Sequence, residues 1–291
     1  MLCSLCPRKC NIDRSERTGY CGSGELIRVA RAAPHMWEEP PISGERGSGA
    51  VFFSGCSLRC VYCQNYDISV QNFGKNVTPA ELRSIYRRLI EKGVHNISLI
   101  TASHFLEGVL ESLSEPLPVP VVWNSGGYES VESLKRLEGR VQIYLPDMKY
   151  SLAQPAKRYS NAPDYPETAK AAISEMFRQT GPYELDDDGI MKKGVIIRHL
   201  VLPGNLENTF GVIDWVSETF SEGDVLFSLM SQYTPFGRAS DFPELSLRLT
   251  EEEYGAAVRY MEERGISDGF YQELSSAKEE YTPDFDLTGI I

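Results

Sequence analysis

The sequence lacks any apolar run long enough to cross a bilayer, and its first residues, MLCSLCPRKC, lack the apolar core of a signal peptide. It is also short of positive charge, because 29 Lys and Arg stand against 41 Asp and Glu, and no large basic cluster interrupts this net charge of −12. These absences argue against a membrane protein, a secreted protein and a protein that binds a nucleic-acid backbone. We expect a cytoplasmic protein, whose thiols stay reduced.

Cysteine is absent from every position after Cys63. The seven cysteines form two groups, which are Cys3, Cys6, Cys10 and Cys21 near the N-terminus, and Cys56, Cys60 and Cys63 after a gap. Random placement would not leave the rest of the chain free of cysteine, and a reducing compartment disfavours disulfides. The pattern therefore indicates metal or redox chemistry.

The 291 residues suffice for one large domain or two smaller ones. Residues 1–45 are rich in Cys, Arg, Gly and Pro and poor in periodic apolar pattern, which predicts a metal-binding extension with little core of its own. Residues 46–291 alternate apolar strands with amphipathic helices. The predicted strands are 50–55, 97–102, 119–127, 141–149, 194–204 and 224–233. The predicted helices are 78–93, 104–113, 129–137, 169–181, 208–220 and a last helix from Thr250 through Arg264. Residues 150–168 and 183–189 are predicted to be longer connections.

Six strands separated by helices predict an α/β fold with parallel strands and crossover helices. An open doubly wound sheet and a barrel both fit this alternation. In either architecture the carboxyl ends of the strands carry the chemistry. The loop Cys56–Cys63 begins directly after the first predicted strand, so its thiols are expected at that end.

The spacing Cys-x3-Cys-x2-Cys, CSLRCVYC in this chain, is compact enough for three thiolates to hold one metal cluster. Thiolates select iron–sulfur clusters or zinc. A [4Fe-4S] cluster with three protein ligands leaves one iron open to a small molecule. A zinc site that borrows a fourth ligand, and three buried structural cysteines, are the alternatives.

This loop, including Tyr62 before the last cysteine, resembles the signature of the radical S-adenosylmethionine (SAM) enzymes. Further segments extend the resemblance over nearly the whole chain. They are CQN (63–65), NSGG (124–127), DMK (147–149) and IRHLVLPG (197–204). These four segments resemble the strand ends of the pyruvate formate-lyase-activating enzymes. Together with LCPRKC, SHF (103–105), YLPDMKY and SLMSQY, they look most like the uncharacterised branch related to those enzymes. The resemblance implies a partial (β/α)6 barrel with a Cys-rich N-terminal extension.

The resemblance also implies the chemistry. The open iron would be chelated by SAM, and one electron from the cluster would break a C–S bond to give methionine and a 5′-deoxyadenosyl radical. A flavodoxin or a ferredoxin-type protein would supply the electron. The substrate would be a glycyl-radical enzyme or another peptide, with a small molecule as a further alternative. A non-catalytic metal-binding regulatory or scaffold protein is the alternative from another class.

Residue roles follow from the resemblance position by position. It implies cofactor contacts at Tyr62, Asn65, Ser103, His104, Asn124, Ser125, Asp147, Lys149 and Arg198. Asn124, Ser125, the Leu145 backbone and Asp147 align with a monovalent-cation site of the activases, although Asn124 replaces their usual aspartate. Lys149 and Arg198 suit the SAM carboxylate.

The largest departure from the activases follows the second predicted strand. Thr101-Ala102-Ser103-His104 stands where those enzymes carry a Gly-Gly-Glu turn that receives the SAM amino group. Ser103 or His104 is therefore a candidate for that contact, with a structural histidine as the other interpretation of His104. His199 lies between apolar neighbours, which favours a structural role.

The N-terminal spacing Cys3-x2-Cys6-x3-Cys10-x10-Cys21 supplies four thiolates, enough to close a coordination sphere. It matches neither a standard zinc ribbon nor the common ferredoxin run. Zinc or a second iron–sulfur cluster are both chemically reasonable. No motif of substrate recognition stands out, so the sequence assigns neither the substrate nor the oligomeric state.

Overall fold

The computed structural model describes residues 2–273 and 283–290. Its strands, in chain order, are β1 (Ile27–His35), β2 (Ser48–Phe53), β3 (Lys75–Val77), β4 (Ile97–Ile100), β5 (Val121–Ser125), β6 (Ile143–Pro146), β7 (Glu184–Leu185), β8 (Met191–Leu200), β9 (Leu226–Met230) and β10 (Gly269–Tyr271). Its α-helices are α1 (Pro40–Ser43), α2 (Tyr66–Ser69), α3 (Pro79–Glu91), α4 (Leu106–Ser112), α5 (Val131–Lys135), α6 (Ala153–Ser160), α7 (Tyr165–Thr180), α8 (Leu206–Thr219) and α9 (Glu251–Glu263).

The strands form one sheet in the order β10-β9-β8-β6-β5-β4-β2-β1-β3, with β7 attached to β8. From β2 to β10 neighbouring strands along this order are parallel, whereas β1 pairs antiparallel with β2 and β3. The sheet has two different end strands and does not close within the described residues. The partial (β/α)6 barrel expected from the sequence is confirmed, with β2, β4, β5, β6, β8 and β9 as its six strands.

The predicted helices all form, and local sequence explains where two of them begin. Thr78 caps α3 by accepting a hydrogen bond from the Glu81 amide, and the Glu81 side chain accepts from the Thr78 amide. Thr250 and Glu253 make the same reciprocal pair at α9. Each pair satisfies backbone donors that a helix start leaves without intrahelical partners.

Seven elements of the described residues were not expected from the sequence, namely β1, β3, β7, β10, α1, α2 and α6. Strand β1 lies within the predicted extension, yet it pairs with β2, and both Val29 and Ala30 are fully buried. Helix α6 occupies part of the predicted connection 150–168. The boundary at residue 45 stays a prediction, but residues 27–35 belong to the main sheet and contribute to its core.

The inner face of the barrel is apolar at the amino ends of the strands. There Ile42 of α1 packs with a buried cluster formed by Val122, Ile143, Leu145, Met191, Ile196 and Leu226. A larger apolar cluster, which contains buried residues of most of the helices, fills the space outside the sheet. Ile42 thus anchors the segment between β1 and β2 inside the barrel. None of the described helices combines the length and apolar character that crossing a membrane requires.

Candidate active site

Side chains on the inner face change from apolar to polar toward the carboxyl ends of the strands. Because successive residues alternate between faces, Asn124 follows Val122, Asp147 follows Leu145 and Arg198 follows Ile196 on the same side. These polar side chains line a cavity of about 240 Å³ together with the three-cysteine loop. The strand alternation therefore brings polar groups from three strands to one end of the barrel.

This cavity unites most of the cofactor residues expected from the resemblance. Of the predicted residues, its lining includes Cys56, Cys60, Cys63, Tyr62, Asn65, Asn124, Ser125, Asp147, Lys149 and Arg198. Ser103 and His104 are not among the lining residues, whereas Thr101, which was not predicted to bind the cofactor, is. The cofactor roles of these residues stay predictions.

Each thiol of the loop accepts a hydrogen bond. Cys56 accepts from the Leu58 amide at 3.4 Å, Cys60 from the Ser160 hydroxyl at 3.0 Å, and Cys63 from the Ser69 hydroxyl at 3.3 Å. Burial and the neighbouring thiols raise the pKa of Cys63 to about 12 and also raise that of Cys56. Thiols in such a setting ionise when a metal takes up their negative charge.

The loop fits a [4Fe-4S] cluster in its donor set. Three thiols from one short loop line one cavity, and each has a hydrogen-bond donor that would remain available to a ligating sulfur. Among the described residues, no three ligating side chains already converge around one metal position. A cubane does not need such convergence, because each of its three thiolates binds a different iron.

Hydrogen-bonded hydroxyl groups connect two residues of the three-cysteine loop (Cys56–Cys63, called the cluster loop below) through Tyr150 and Ser160. The Tyr62 and Tyr150 hydroxyls are 2.8 Å apart, and the Tyr150 hydroxyl is 2.8 Å from that of Ser160, which donates to Cys60. All three hydroxyl-bearing residues are buried. The aromatic residue of the signature thus supports the loop through its hydroxyl group as well as through packing.

Asp147 joins the two cations that the resemblance assigned to SAM. Its carboxylate accepts from the Lys149 ammonium at 2.5 Å and from Arg198 Nε at 2.9 Å. Burial opposes its ionisation, but the charges of Arg198 and Lys149 outweigh burial and lower the pKa of Asp147. Arg198 Nη2 also donates to Asn124 Oδ1 at 2.7 Å. The protein's own cations therefore already contact the predicted ligands Asn124 and Asp147 of a monovalent cation, and that site stays a prediction.

Two buried carboxylates from the segment after β1 complete this network, and sequence reasoning missed them. Glu38 accepts from Asn124 at 2.9 Å and from Arg198 Nη1 at 3.3 Å. Glu39 Oε2 lies 3.7 Å from the same Nη1, without a hydrogen bond of its own. Burial raises the pKa of Glu38 and raises that of Glu39 to about 7. The only sequence signal was a pair of acidic residues before two prolines, which resembles an ordinary surface turn.

Ser103 and His104 make structural contacts away from the cavity. The Ser103 hydroxyl donates to the buried Glu129 carboxylate, which also accepts from the Trp123 indole at 2.9 Å. His104 Nε2 lies 2.8 Å from the Ser54 carbonyl oxygen, and burial lowers the pKa of His104 to about 4. These contacts favour the structural interpretation of His104.

His199 is fully buried and is held by hydrogen bonds at both ring nitrogens. Nδ1 lies 2.7 Å from the Met148 carbonyl oxygen and Nε2 lies 3.0 Å from the Thr209 hydroxyl. Burial lowers the pKa of His199 to about 4, so the ring is neutral near pH 7. The structural role expected from the apolar neighbours of His199 agrees with these contacts.

The N-terminal cysteine segment packs directly against the cluster loop. The Cys56 amide donates to the Cys21 carbonyl at 3.2 Å, and Arg8 Nε donates to the Ser57 carbonyl at 2.8 Å. Gly55, with a φ of +87°, permits this approach, since a Cβ there would lie 2.7 Å from the Cys21 carbonyl oxygen. The two cysteine groups therefore belong to one connected substructure.

The four N-terminal thiols lie close enough to affect one another. A Cβ built on Gly19 would lie 3.5 Å from both the Cys10 and the Cys21 sulfur atoms. Burial, and then the charges of Cys21, Cys10 and Cys3, raise the pKa of Cys6 to about 12. Four adjacent thiols are a suitable donor set for a tetrahedral metal or a cluster.

Comparisons with known proteins agree with this site. Residues 42–139, which include the three-cysteine loop, match the model of a 4Fe-4S single cluster domain. Over 275 residues the chain is 30% identical to the uncharacterized protein MJ0674 of Methanocaldococcus jannaschii, covering 91% of this chain and 75% of that protein.

Three solved structures align with lower similarity. A domain of a pyruvate-formate lyase-activating enzyme from Bacteroides vulgatus is 10% identical, with a TM-score of 0.39, over 67% of this chain and 91% of that one. SuiB of Streptococcus suis bound to S-adenosylmethionine is 13% identical, with a TM-score of 0.48, over 77% and 50%. SuiB bound to its precursor peptide SuiA is 12% identical, with a TM-score of 0.49, over 76% and 48%. The chain thus spans about half of SuiB, and no function is transferred at these scores.

Sequence, fold and site lead to one assignment. The Cys-x3-Cys-x2-Cys loop follows the first strand of a partial (β/α)6 barrel, lies within the matched 4Fe-4S domain, and is part of a chain related over most of its length to MJ0674. The protein belongs to the family of MJ0674, and its three-cysteine loop lies in a segment that matches a 4Fe-4S single cluster domain.

Proposed function

We propose that this protein is a cytoplasmic enzyme that reductively cleaves S-adenosylmethionine and uses the resulting radical on a protein or peptide substrate. The observation that carries the proposal is the shared cavity, in which three thiols face a buried group of cations and carboxylates from neighbouring strand ends. The cavity offers room and charge for a zwitterionic ligand beside the loop.

Cys56, Cys60 and Cys63 would hold the cluster, and Ser160 and Ser69 would donate hydrogen bonds to its sulfur ligands. The bound cluster would supply one electron to the SAM sulfonium, so that the C–S bond breaks into methionine and a 5′-deoxyadenosyl radical that abstracts hydrogen from the substrate. A flavodoxin or a ferredoxin-type protein would be the electron donor.

The chain's own residues would orient SAM and exclude water. Lys149 and Arg198 lie on neighbouring strand ends, where their charges can receive a carboxylate. Gly126 lines the same cavity, and a Cβ there would lie 2.9 Å from the Leu58 side chain. The absence of that Cβ keeps space for a ligand between the loop and β5. The contact with the SAM amino group is not assigned to Ser103 or His104, because both side chains are engaged elsewhere.

Activation of a glycyl-radical enzyme is the specific form of this proposal that the sequence resemblance favours. A glycine-containing loop of a partner enzyme, or another peptide, would have to reach the open end of the barrel. A small-molecule substrate is the further alternative.

The first prediction concerns the cleavage itself. Protein reconstituted anaerobically with iron and sulfide, reduced with dithionite and given SAM, is expected to form 5′-deoxyadenosine and methionine, quantified by liquid chromatography and mass spectrometry. Unreduced protein is the matched control. An intact cluster that gives no cleavage would contradict the proposal and favour the non-catalytic metal-binding alternative.

The second prediction concerns the N-terminal thiols. We propose that Cys3, Cys6, Cys10 and Cys21 bind a structural metal, with zinc as the first candidate and a second iron–sulfur cluster as the other. Metal analysis of anaerobically purified protein is expected to find about one zinc per chain in addition to about four irons. About eight irons without zinc would instead assign a second cluster. If a Cys6→Ala variant kept the full content of both zinc and iron, the N-terminal metal site would be refuted.

A further inference from the structure

A second cavity, of about 540 Å³, adjoins the 240 Å³ cavity at the cluster loop, which we call the cofactor cavity. The two cavities share the lining residues Trp37, Glu38, Arg198 and Gln232. Glu39 lies at this second cavity, whose outer lining includes the apolar side chains of Met36, Phe270 and Tyr271. A ligand held there would be next to the cofactor cavity. Of the residues expected to bind SAM, Arg198 alone lines this second cavity.

The charges at the boundary between the two cavities do not balance. Glu38, Glu39 and Asp147 supply three carboxylates against the two cations Lys149 and Arg198, and the exposure of these five side chains ranges from 6% to 19%. Asp147 contacts Lys149 and Arg198, while Glu38 takes hydrogen bonds from Arg198 and Asn124. Glu39 is the carboxylate in excess.

Glu39 is also the least satisfied member of this group. The residue is 8% exposed, Oε1 accepts from the Ser228 hydroxyl at 3.3 Å, and Oε2 has no hydrogen-bond partner. A buried carboxylate oxygen without a donor is costly, and a positively charged donor compensates it best. Oε2 lies 3.7 Å from Arg198 Nη1, too far for a hydrogen bond, so its missing donor and the excess of carboxylates both point to a cationic ligand.

The walls suit an apolar stem that carries such a charge. Met36, Trp37 and Tyr271 are 44%, 61% and 55% exposed, and all three line the second cavity. Aromatic faces attract cations, and long apolar stems pack well between aromatic and methionine side chains. An ammonium or guanidinium group on an alkyl chain would therefore match both the base and the walls of the cavity.

We propose that this second cavity binds an alkylammonium or alkylguanidinium group of the substrate, with Glu39 as its counter-ion and Trp37 against its stem. This proposal rests on the proposed function, because it assumes that the substrate binds next to the cofactor cavity. The group could belong to a lysine or arginine side chain of a polypeptide or to a free amine. Both sources share the chemistry that Glu39 would recognise.

The test is calorimetric titration of the reconstituted full-length protein, saturated with SAM at pH 8, with Nα-acetyl-lysine methylamide and its uncharged analogue Nα-acetyl-norleucine methylamide. The lysine compound is expected to bind at least about tenfold more tightly, as a charge-assisted hydrogen bond allows. Glu39→Gln is expected to abolish this preference. Glu175→Gln, which alters another buried carboxylate on α7, is the matched control and should retain it.

Trp37→Ala gives a second variant at an exposed position, in case Glu39→Gln fails to fold. It is expected to weaken binding of the lysine compound about threefold to fivefold. Equal affinity for the two compounds in the unaltered protein, or an unchanged preference in a folded Glu39→Gln variant, would overturn the proposal. Binding of the lysine compound to the SAM-free protein but not to the SAM-saturated protein would also overturn it, since Glu39 would then serve the SAM amino group.

Two further comparisons separate the alternatives. Tighter binding of the peptide acetyl-Gly-Gly-Lys-Gly-Gly-amide than of n-butylammonium would support the proposal with a polypeptide as the source, and the reverse order would support it with a free amine. Lysine selectivity without formation of 5′-deoxyadenosine would support this cavity but contradict the proposed function. Formation of 5′-deoxyadenosine without a preference for the lysine compound would support the proposed function but contradict the assignment of this cavity.

Discussion

Replacing Cys60 by alanine is expected to abolish both the visible absorbance of the cluster and the formation of 5′-deoxyadenosine. Cys60 is the central thiol of the loop and lines the cofactor cavity between Cys56 and Cys63. With two thiols left, the loop cannot supply the three ligands that a cubane with one open iron requires. Iron analysis, the absorption spectrum and the SAM cleavage assay measure the outcome. Full cleavage activity in Cys60→Ala would refute the cluster assignment.

Ser160→Ala is the matched control for Cys60→Ala, because it removes only the hydroxyl that donates to the same sulfur at 3.0 Å. Iron content should stay at the level of the unaltered protein. Hydrogen bonds to ligating sulfur stabilise the reduced, more negative cluster, so the reduction potential should fall. A net hydrogen bond of about 1 kcal/mol corresponds to about 40 mV for one electron. Loss of iron in Ser160→Ala would mean that the loop is too fragile for Cys60→Ala to be interpreted as loss of a ligand.

Replacing Arg198 by methionine is expected to lower the free energy of unfolding by roughly 3–5 kcal/mol. Arg198 is 15% exposed and faces three carboxylates, of Glu38, Glu39 and Asp147. Methionine has a side chain of similar length but carries no charge. In the network described above, Lys149 would then be the one cation left for these three buried carboxylates. Urea unfolding of anaerobically purified protein, followed by circular dichroism, measures the difference.

Arg178→Met provides the comparison for Arg198→Met. Arg178 also contacts two carboxylates, of Glu175 and Glu138, but its side chain is 51% exposed, so its removal should cost much less stability than the removal of Arg198. Adding Glu38→Gln to Arg198→Met should restore part of the lost stability, since it removes one of the unpaired charges. Equal losses for the two arginine variants, or strictly additive effects of Arg198→Met and Glu38→Gln, would show that the network is not held by Arg198.

The sequence predicted the barrel well because its parallel strands are short apolar runs separated by helices with clear starts. Thr78 and Thr250 show this most clearly, since each forms the expected reciprocal pair with a glutamate three residues later. Strand β1 was missed because the surrounding cysteines, glycines and prolines dominated the composition of residues 1–45. Its pairing with β2 satisfies the outer edge of β2, a tertiary requirement that local pattern does not reveal.

The candidate site was predictable only as far as its motif extended. Cys56, Asp147 and Lys149 were located because they follow strands within recognisable segments. Glu38 and Glu39 were missed because their burial depends on Arg198, which lies 160 positions after Glu38. Long-range pairing of this kind has no local signature, and an acidic pair before prolines is more often solvated.

The hydrogen bond between the Cys56 amide and the Cys21 carbonyl has a consequence for how the protein is assembled in the cell. A metal held by the N-terminal thiols would fix Cys21 and thereby the first residue of the cluster loop. Binding energy at one centre would then favour loading of the other, and this linkage is reciprocal. Maturation of the two centres would consequently be cooperative, so that a chain loaded at one centre is more readily completed at the other.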